Sequence, residues 1–293
     1  MARTFAVLGD SISTFEGYNP HGFAVYYSLE RAREAGLAGV EDTWWSLVAA
    51  YFGATVTANG SYSGSMVAGA GFPAAWSAER IESLQGSASP SDILVFMGTN
   101  DYGWGSARAQ AQARSSATPP CTDLSHYPAK TAGSAGEQEL KEFEQAYGVM
   151  LDGLAAVYPQ ATVWCMTLIP GRVTGHHSPT FAWNLRGIPM QFYNEAIKSI
   201  ATGHGCKALD LCSYGLDYEA LDGTHPTALG MKQIAALVIA AMEQKPGFAG
   251  IFANNPYQNA SQWISKHLCP ERSCLNCPHA KGTGNTWYCV CEK

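Results

Sequence analysis

Charge is scarce in this chain: Asp, Glu, Lys and Arg make up 14% of its 293 residues, against roughly 25% in an ordinary soluble domain. What charge there is leans acidic, with 18 Lys and Arg against 24 Asp and Glu and a net of −6. No basic run or stripe is present, which argues against phosphate-backbone binding and a nucleic-acid partner. Long apolar runs are missing too. Stretches such as Ile234–Met242 reach only about ten residues, and a membrane span needs roughly twenty. A secretory leader pattern is also lacking. Met1-Ala2-Arg3-Thr4 runs straight into Phe5-Ala6-Val7-Leu8, with no basic segment, long apolar stretch and cleavage site in series, so a cytoplasmic location is the expectation. Apolar residues are plentiful at 46%, enough to offset the entropy of ordering the chain, which excludes disorder.

What is present is an alternation. Phe5–Leu8, Thr55–Ala58, Ile93–Met97, Thr162–Leu168 and Lys207–Leu211 are short Val-, Ile-, Leu- and Phe-rich runs that read as buried strands. Between them lie segments of helical period. One runs from Trp44 to Tyr51 behind the capping pair Asp42-Thr43; another, Glu137–Val157, places Leu140, Phe143, Tyr147, Met150, Leu151 and Leu154 three and four apart. Met190–Ile200 and Thr227–Met242 repeat the pattern. Strand, helix, strand in sequence predicts a three-layer α/β/α domain around a parallel sheet, over residues 1–245. Two segments stand apart. Residues 102–136, rich in Ala, Ser, Gly and Pro, read as one long loop. Residues 246–293 read as a small irregular appendage, broken by Pro256, Pro270 and Pro278.

In an open parallel sheet, ligands sit beyond the carboxyl ends of the strands, so the polar residues that follow each run carry the information. They are Gly9-Asp10-Ser11, Asn59-Gly60-Ser61-Tyr62-Ser63-Gly64, Gly98-Thr99-Asn100-Asp101 and, ahead of the last helix, Asp222-Gly223-Thr224-His225-Pro226. Each alone is an ordinary turn or cap. Together and in this order they resemble the four blocks of the SGNH (GDSL) hydrolase superfamily, across about residues 4–243. The resemblance implies a flavodoxin-like sheet and an ester hydrolase, and by its spacing makes Gly64, rather than Gly60, the oxyanion glycine. Glu16-Gly17-Tyr18-Asn19-Pro20, Tyr26-Tyr27 and Glu41-Asp42-Thr43-Trp44-Trp45 suggest a bacterial branch of it.

The chemistry follows from the residue types. A serine hydroxyl is a poor nucleophile without an adjacent base. His225 can take the Ser11 proton and return it to the leaving group, and Asp222 can hold the imidazole in the right tautomer. Oxyanion donors would be the backbone N–H groups of Ser11 and Gly64 and the side-chain amide of Asn100. Asp10 and Asp101 are expected to bond neighbouring loops. Trp44, Trp45 and Trp164 are expected in the core, Tyr102 and Trp104 against substrate, and His176-His177 at the rim. A serine esterase acting on a small carboxylic ester, such as an O-acetyl or short acyl group on a carbohydrate, is the leading expectation. An acyltransferase using the same acyl-enzyme, or a catalytically silent binding module, are the alternatives.

Of nine cysteines, Cys269, Cys274, Cys277, Cys289 and Cys291 crowd the tail with His279. The close pairs permit a structural zinc, disulfides or free thiols, and a reducing compartment favours thiolate ligands. No catalytic step calls for a cofactor. If zinc is the staple, protein purified without added metal should carry about one zinc per chain, lost in Cys274→Ser or Cys277→Ser. Zinc near zero with fewer than nine titratable thiols would mark disulfides instead.

Overall fold

The first apolar run forms strand β1 (Thr4–Gly9), and every residue from Phe5 to Gly9 is buried. A strand can be apolar on both faces only if both faces are covered. Phe5 and Val7 enter one core with Trp44, Val48 and Ile234, while Ala6 and Leu8 enter the other with Phe143, Tyr147 and Ile197. The three layers are thus written into the two-residue period of one strand. The computed structural model describes residues 3–104, 134–175 and 190–244, together with the backbone of 280–283 and 286–289.

The sheet is parallel throughout and ordered β2-β1-β3-β4-β6, with β2 at Thr55–Asn59, β3 at Asp92–Phe96, β4 at Thr162–Met166 and β6 at Lys207–Leu209. All five are the expected strands. β4 and β6 stop short of their apolar runs, and after β6 Asp210 caps a 3-10 turn over Leu211–Tyr214. One face is covered by α2 (Trp44–Phe52) and α7 (Ala228–Met242), the other by α3 (Ala78–Glu82), α5 (Ser134–Val157) and α6 (Met190–Gly203). Thr43 caps α2 by accepting from Ser46 N, and Thr227 caps α7 by accepting from Gly230 N. α1 (Leu29–Glu34) is short and lies ahead of α2 in the chain.

Three expectations change. Residues 102–136 are not one loop: α4 (Thr99–Trp104) and the start of α5 take its two ends, and 105–133 lie outside the described residues. A second, two-stranded parallel sheet pairs β5 (Gly171–Val173) with β7 (Tyr218–Ala220), each too short to give a periodic signal. The appendage is not wholly irregular. β8 (Ala280–Thr283) and β9 (Thr286–Cys289) form an antiparallel hairpin, consistent with the Thr-Trp-Tyr run and the two residues Gly284-Asn285 between the strands. Residues 245 and 246, the expected boundary, lie outside the described ones.

One buried cation joins the loops at the carboxyl edge of the sheet. Arg80 on α3 is fully buried. Its guanidinium donates to Gly60 O at 2.8 Å, Gly9 O at 2.8 Å, Pro73 O at 2.7 Å and the Ser65 hydroxyl. Arg80→Met should leave those acceptors unpaired and cost about 3 kcal/mol or more of unfolding free energy. The urea midpoint measures it; a loss below about 1 kcal/mol would contradict the role.

Candidate active site

Ser11 opens a 3-10 turn, Ser11–Ser13, directly after β1, with the Asp10 carboxylate accepting from Ile12 N. Asp222 and His225 lie in the connection between β7 and α7. That connection is closed on itself by Leu221 N donating to His225 O at 2.8 Å and by a bridge between Ala220 and Pro226. Two buried phenols hold it from outside: Tyr27 donates to Pro226 O and Tyr218 to Thr224 O, both at 2.6 Å. Gly171 of β5 lies against the same turn, where a Cβ would stand 2.3 Å from Gly223 O. No side chain larger than hydrogen fits there.

The result is a line of three groups. Asp222 Oδ2 stands 2.6 Å from His225 Nδ1, and His225 Nε2 stands 3.0 Å from the Ser11 hydroxyl, although 214 positions separate the last two in sequence. Because Nδ1–H donates to the carboxylate, Nε2 is left as the acceptor that faces Ser11. The other oxygen of Asp222 accepts from the backbone N–H groups of Thr224 (3.0 Å) and His225 (2.8 Å). Partial burial would raise the Asp222 pKa, but the imidazole and these N–H donors outweigh it and hold the carboxyl at about 2. Asp222 is therefore an anion across the physiological range.

The oxyanion candidates converge on the same edge. Gly64 is exposed with φ of +77°, a left-handed conformation that glycine adopts without strain. The N–H groups of Ser11 and Gly64 have no hydrogen-bond partner among the described residues. The Asn100 amide donates one hydrogen to Ser65 O at 2.9 Å, which ties it to the residue after Gly64 and leaves its second hydrogen. Asn59 donates to Ser13 O at 2.8 Å and accepts from Ser61 N at 3.0 Å, binding the second block to the first. Asn19 bridges to the carbonyls of Asn59 and Ser61 at 3.2 and 3.0 Å.

The other expected residues separate clearly. Asp10 and Asp101 are loop-bonding carboxylates; Asp101 accepts from Val67 N and Ala68 N, each at 2.8 Å. Trp44 and Trp45 are buried, with their indole N–H groups on Ser13 Oγ (3.2 Å) and Ser13 O (3.0 Å). Tyr102, expected against substrate, points into the core instead. It is buried on α4, its ring 5.9 Å from that of Tyr193, so packing rather than substrate contact accounts for it. Trp104 ends α4, and its side chain lies outside the described residues, as do His176, His177, Cys269, Cys274, Cys277 and Cys291. Cys289 closes β9, where only the backbone is described. Among the described residues no cluster of three or more His, Cys, Asp or Glu could hold a metal, and Cys165, Cys206 and Cys212 are free thiols.

A family model described as GDSL-like lipase/acylhydrolase matches residues 3–170, more than half of the chain. This chain belongs to that family. Ester hydrolysis is the chemistry that the GDSL-like membership brings with it. A GDSL-like lipase structure from Bacteroides ovatus is 20% identical with a TM-score of 0.54, covering 84% of this chain and 100% of that one. A protein from Lactobacillus plantarum is 20% identical with a TM-score of 0.50, covering 83% and 98%. At such identities the likeness is one of fold. No curated protein matches the sequence.

The two loop-bonding carboxylates differ from Asp222 in the direction their pKa is pushed. Burial raises Asp10 to about 7 and Asp101 to about 6, against the pull of their N–H donors and, for Asp10, of Arg80. A folded pKa above the unfolded value of about 4 gives stability that is complete below about pH 4 and lost as the pH rises through about 7. Asp10→Asn keeps the oxygen that accepts from Ile12 and removes the ionisation. Urea midpoints should show the variant gaining on the native protein between pH 5 and 8; a constant difference would mean that Asp10 ionises freely.

Proposed function

We propose that the protein is a serine esterase that cleaves a small carboxylic ester through an acyl-enzyme on Ser11. The observation that carries this reading is the imidazole of His225 held between the Ser11 hydroxyl at 3.0 Å and the Asp222 carboxylate at 2.6 Å. As Ser11 Oγ attacks the ester carbonyl carbon, its proton passes to His225 Nε2 and the carbonyl electrons move onto oxygen. The anion Asp222 offsets the imidazolium so formed without taking the proton itself. The tetrahedral oxygen accepts from the N–H groups of Ser11 and Gly64 and from the remaining amide hydrogen of Asn100. Collapse expels the alcohol, which takes its proton from His225. Water then repeats the sequence on the acyl-serine, freeing the acid and Ser11.

A sugar hydroxyl as the alcohol fits the surroundings. Phe23, Tyr62 and Phe72 pack pairwise with ring centroids 5.3–5.5 Å apart, and Tyr62 lies two residues from Gly64. Phe72 is 43% exposed, which leaves an aromatic surface of the kind that stacks on the apolar face of a carbohydrate ring. Water as acceptor distinguishes this reading from acyl transfer, and product analysis with an added alcohol separates the two.

Ser11→Ala should lower hydrolysis of p-nitrophenyl acetate by at least about a thousandfold while leaving the unfolding midpoint near that of the native protein. A fluorophosphonate probe should label the native protein on Ser11 and leave the variant unlabelled. Retention of more than a few per cent of the native rate would overturn the mechanism.

A further inference from the structure

We propose that Tyr26 is a positioning residue, whose ring fixes the plane of the His225 imidazole and stabilises its protonated form. This inference rests on the assignment of His225 as the general base. The two rings are stacked, with centroids 3.4 Å apart and planes only 5° from parallel. The Tyr26 hydroxyl lies 3.4 Å from Asp222 Oδ2, the same oxygen that accepts from the imidazole Nδ1–H. Burial, and next to it the Asp222 charge, push that phenol up to about 12, so it remains a donor to the carboxylate.

Tyr26 is in turn held from three sides. Its backbone N–H donates to the Thr14 hydroxyl at 2.9 Å, and its ring meets Tyr27 edge-on at 5.0 Å. The Arg31 guanidinium lies over the ring with its carbon 4.7 Å from the centroid, and since the imidazole covers one face, the guanidinium takes the other. The ring is therefore a fixed wall. Without it, the hydrogen bonds to Asp222 and Ser11 and the side-chain rotamer would have to orient His225, whose imidazole could swing about the Asp222 bond and lose its aim at Ser11.

The stack also distinguishes the two charge states of histidine. The face of a phenol ring is the negative end of its quadrupole and attracts a cation more than a neutral ring. His225 is neutral while substrate binds and cationic in the transition state. An interaction stronger in the transition state than in the ground state raises kcat and leaves KM alone. Tyr26 touches no reacting atom; it acts through His225.

The test compares Tyr26→Phe, Tyr26→Trp and Tyr26→Leu in the full chain, with rates expressed per site titrated by the fluorophosphonate probe, so that any unfolded fraction drops out. Tyr26→Leu should lose about tenfold or more in kcat with KM within about twofold. Tyr26→Phe, which keeps the stack and drops the hydroxyl, should stay within about threefold of native, and Tyr26→Trp should rescue more than half of the loss. Native kcat in Tyr26→Leu, or equal losses in the Leu and Phe variants, would overturn the positioning role while the Ser11 mechanism stands. Activity in Ser11→Ala would overturn the mechanism itself, whatever the Tyr26 variants do.

Discussion

The site depends on one guanidinium that has given up water. A buried cation must find hydrogen-bond acceptors within the protein, and Arg80 finds them on Gly9, Gly60, Ser65 and Pro73. Three of these, Gly9, Gly60 and Ser65, belong to the strand end that presents Ser11 and the turn that presents Gly64. The distance between nucleophile and oxyanion donor is thus set by the span of one planar, five-donor group rather than by flexible loops. Asn59 and Asn19 bond the same turns a second time, through backbone carbonyls. In a chain with so little charge, this one is placed where it constrains most.

The base is anchored by different means. Its loop is short, closed by its own backbone and clamped by the hydroxyls of Tyr27 and Tyr218, with β7 and α7 at its ends and Gly171 of β5 against its middle. Environment then divides three carboxylates into two roles. Asp222 is met by an imidazole and two N–H donors and is held at about 2, so it is a permanent anion beside His225. Asp10 and Asp101 are raised by burial to about 7 and about 6 and serve to shape loops. Burial thus makes ionisation harder for the two loop carboxylates, while hydrogen bonding makes it easier for the one that faces the imidazole.

The residues between the first strand and α1 connect these two halves. Ala24 O accepts from Ser63 N at 2.8 Å, beside Gly64, while Tyr26 stacks on His225 and Tyr27 reaches Pro226. A single segment therefore braces the oxyanion turn and the base loop together, which is why the doublet Tyr26-Tyr27 in the sequence has a place in the site.

The sequence by itself determined the five sheet strands, four of the helices that cover them (α2, α5, α6 and α7, not α3) and the four polar blocks that follow the strands. Those features are local: a two-residue or 3.6-residue period of apolar side chains, and turn residues placed where a strand must end, are visible in any window of ten. Tertiary structure decided the rest. That Arg80 would be a hub, that Tyr102 would pack on Tyr193, and that Tyr26 would lie flat on an imidazole 199 positions away were not legible. Each depends on which residues meet across the sheet edge, and a chain's own pattern carries no record of partners that only folding brings within hydrogen-bonding or stacking distance. The short pairing of β5 with β7 belongs to the same class, since three residues hold too little pattern to announce a strand until a partner supplies the hydrogen bonds.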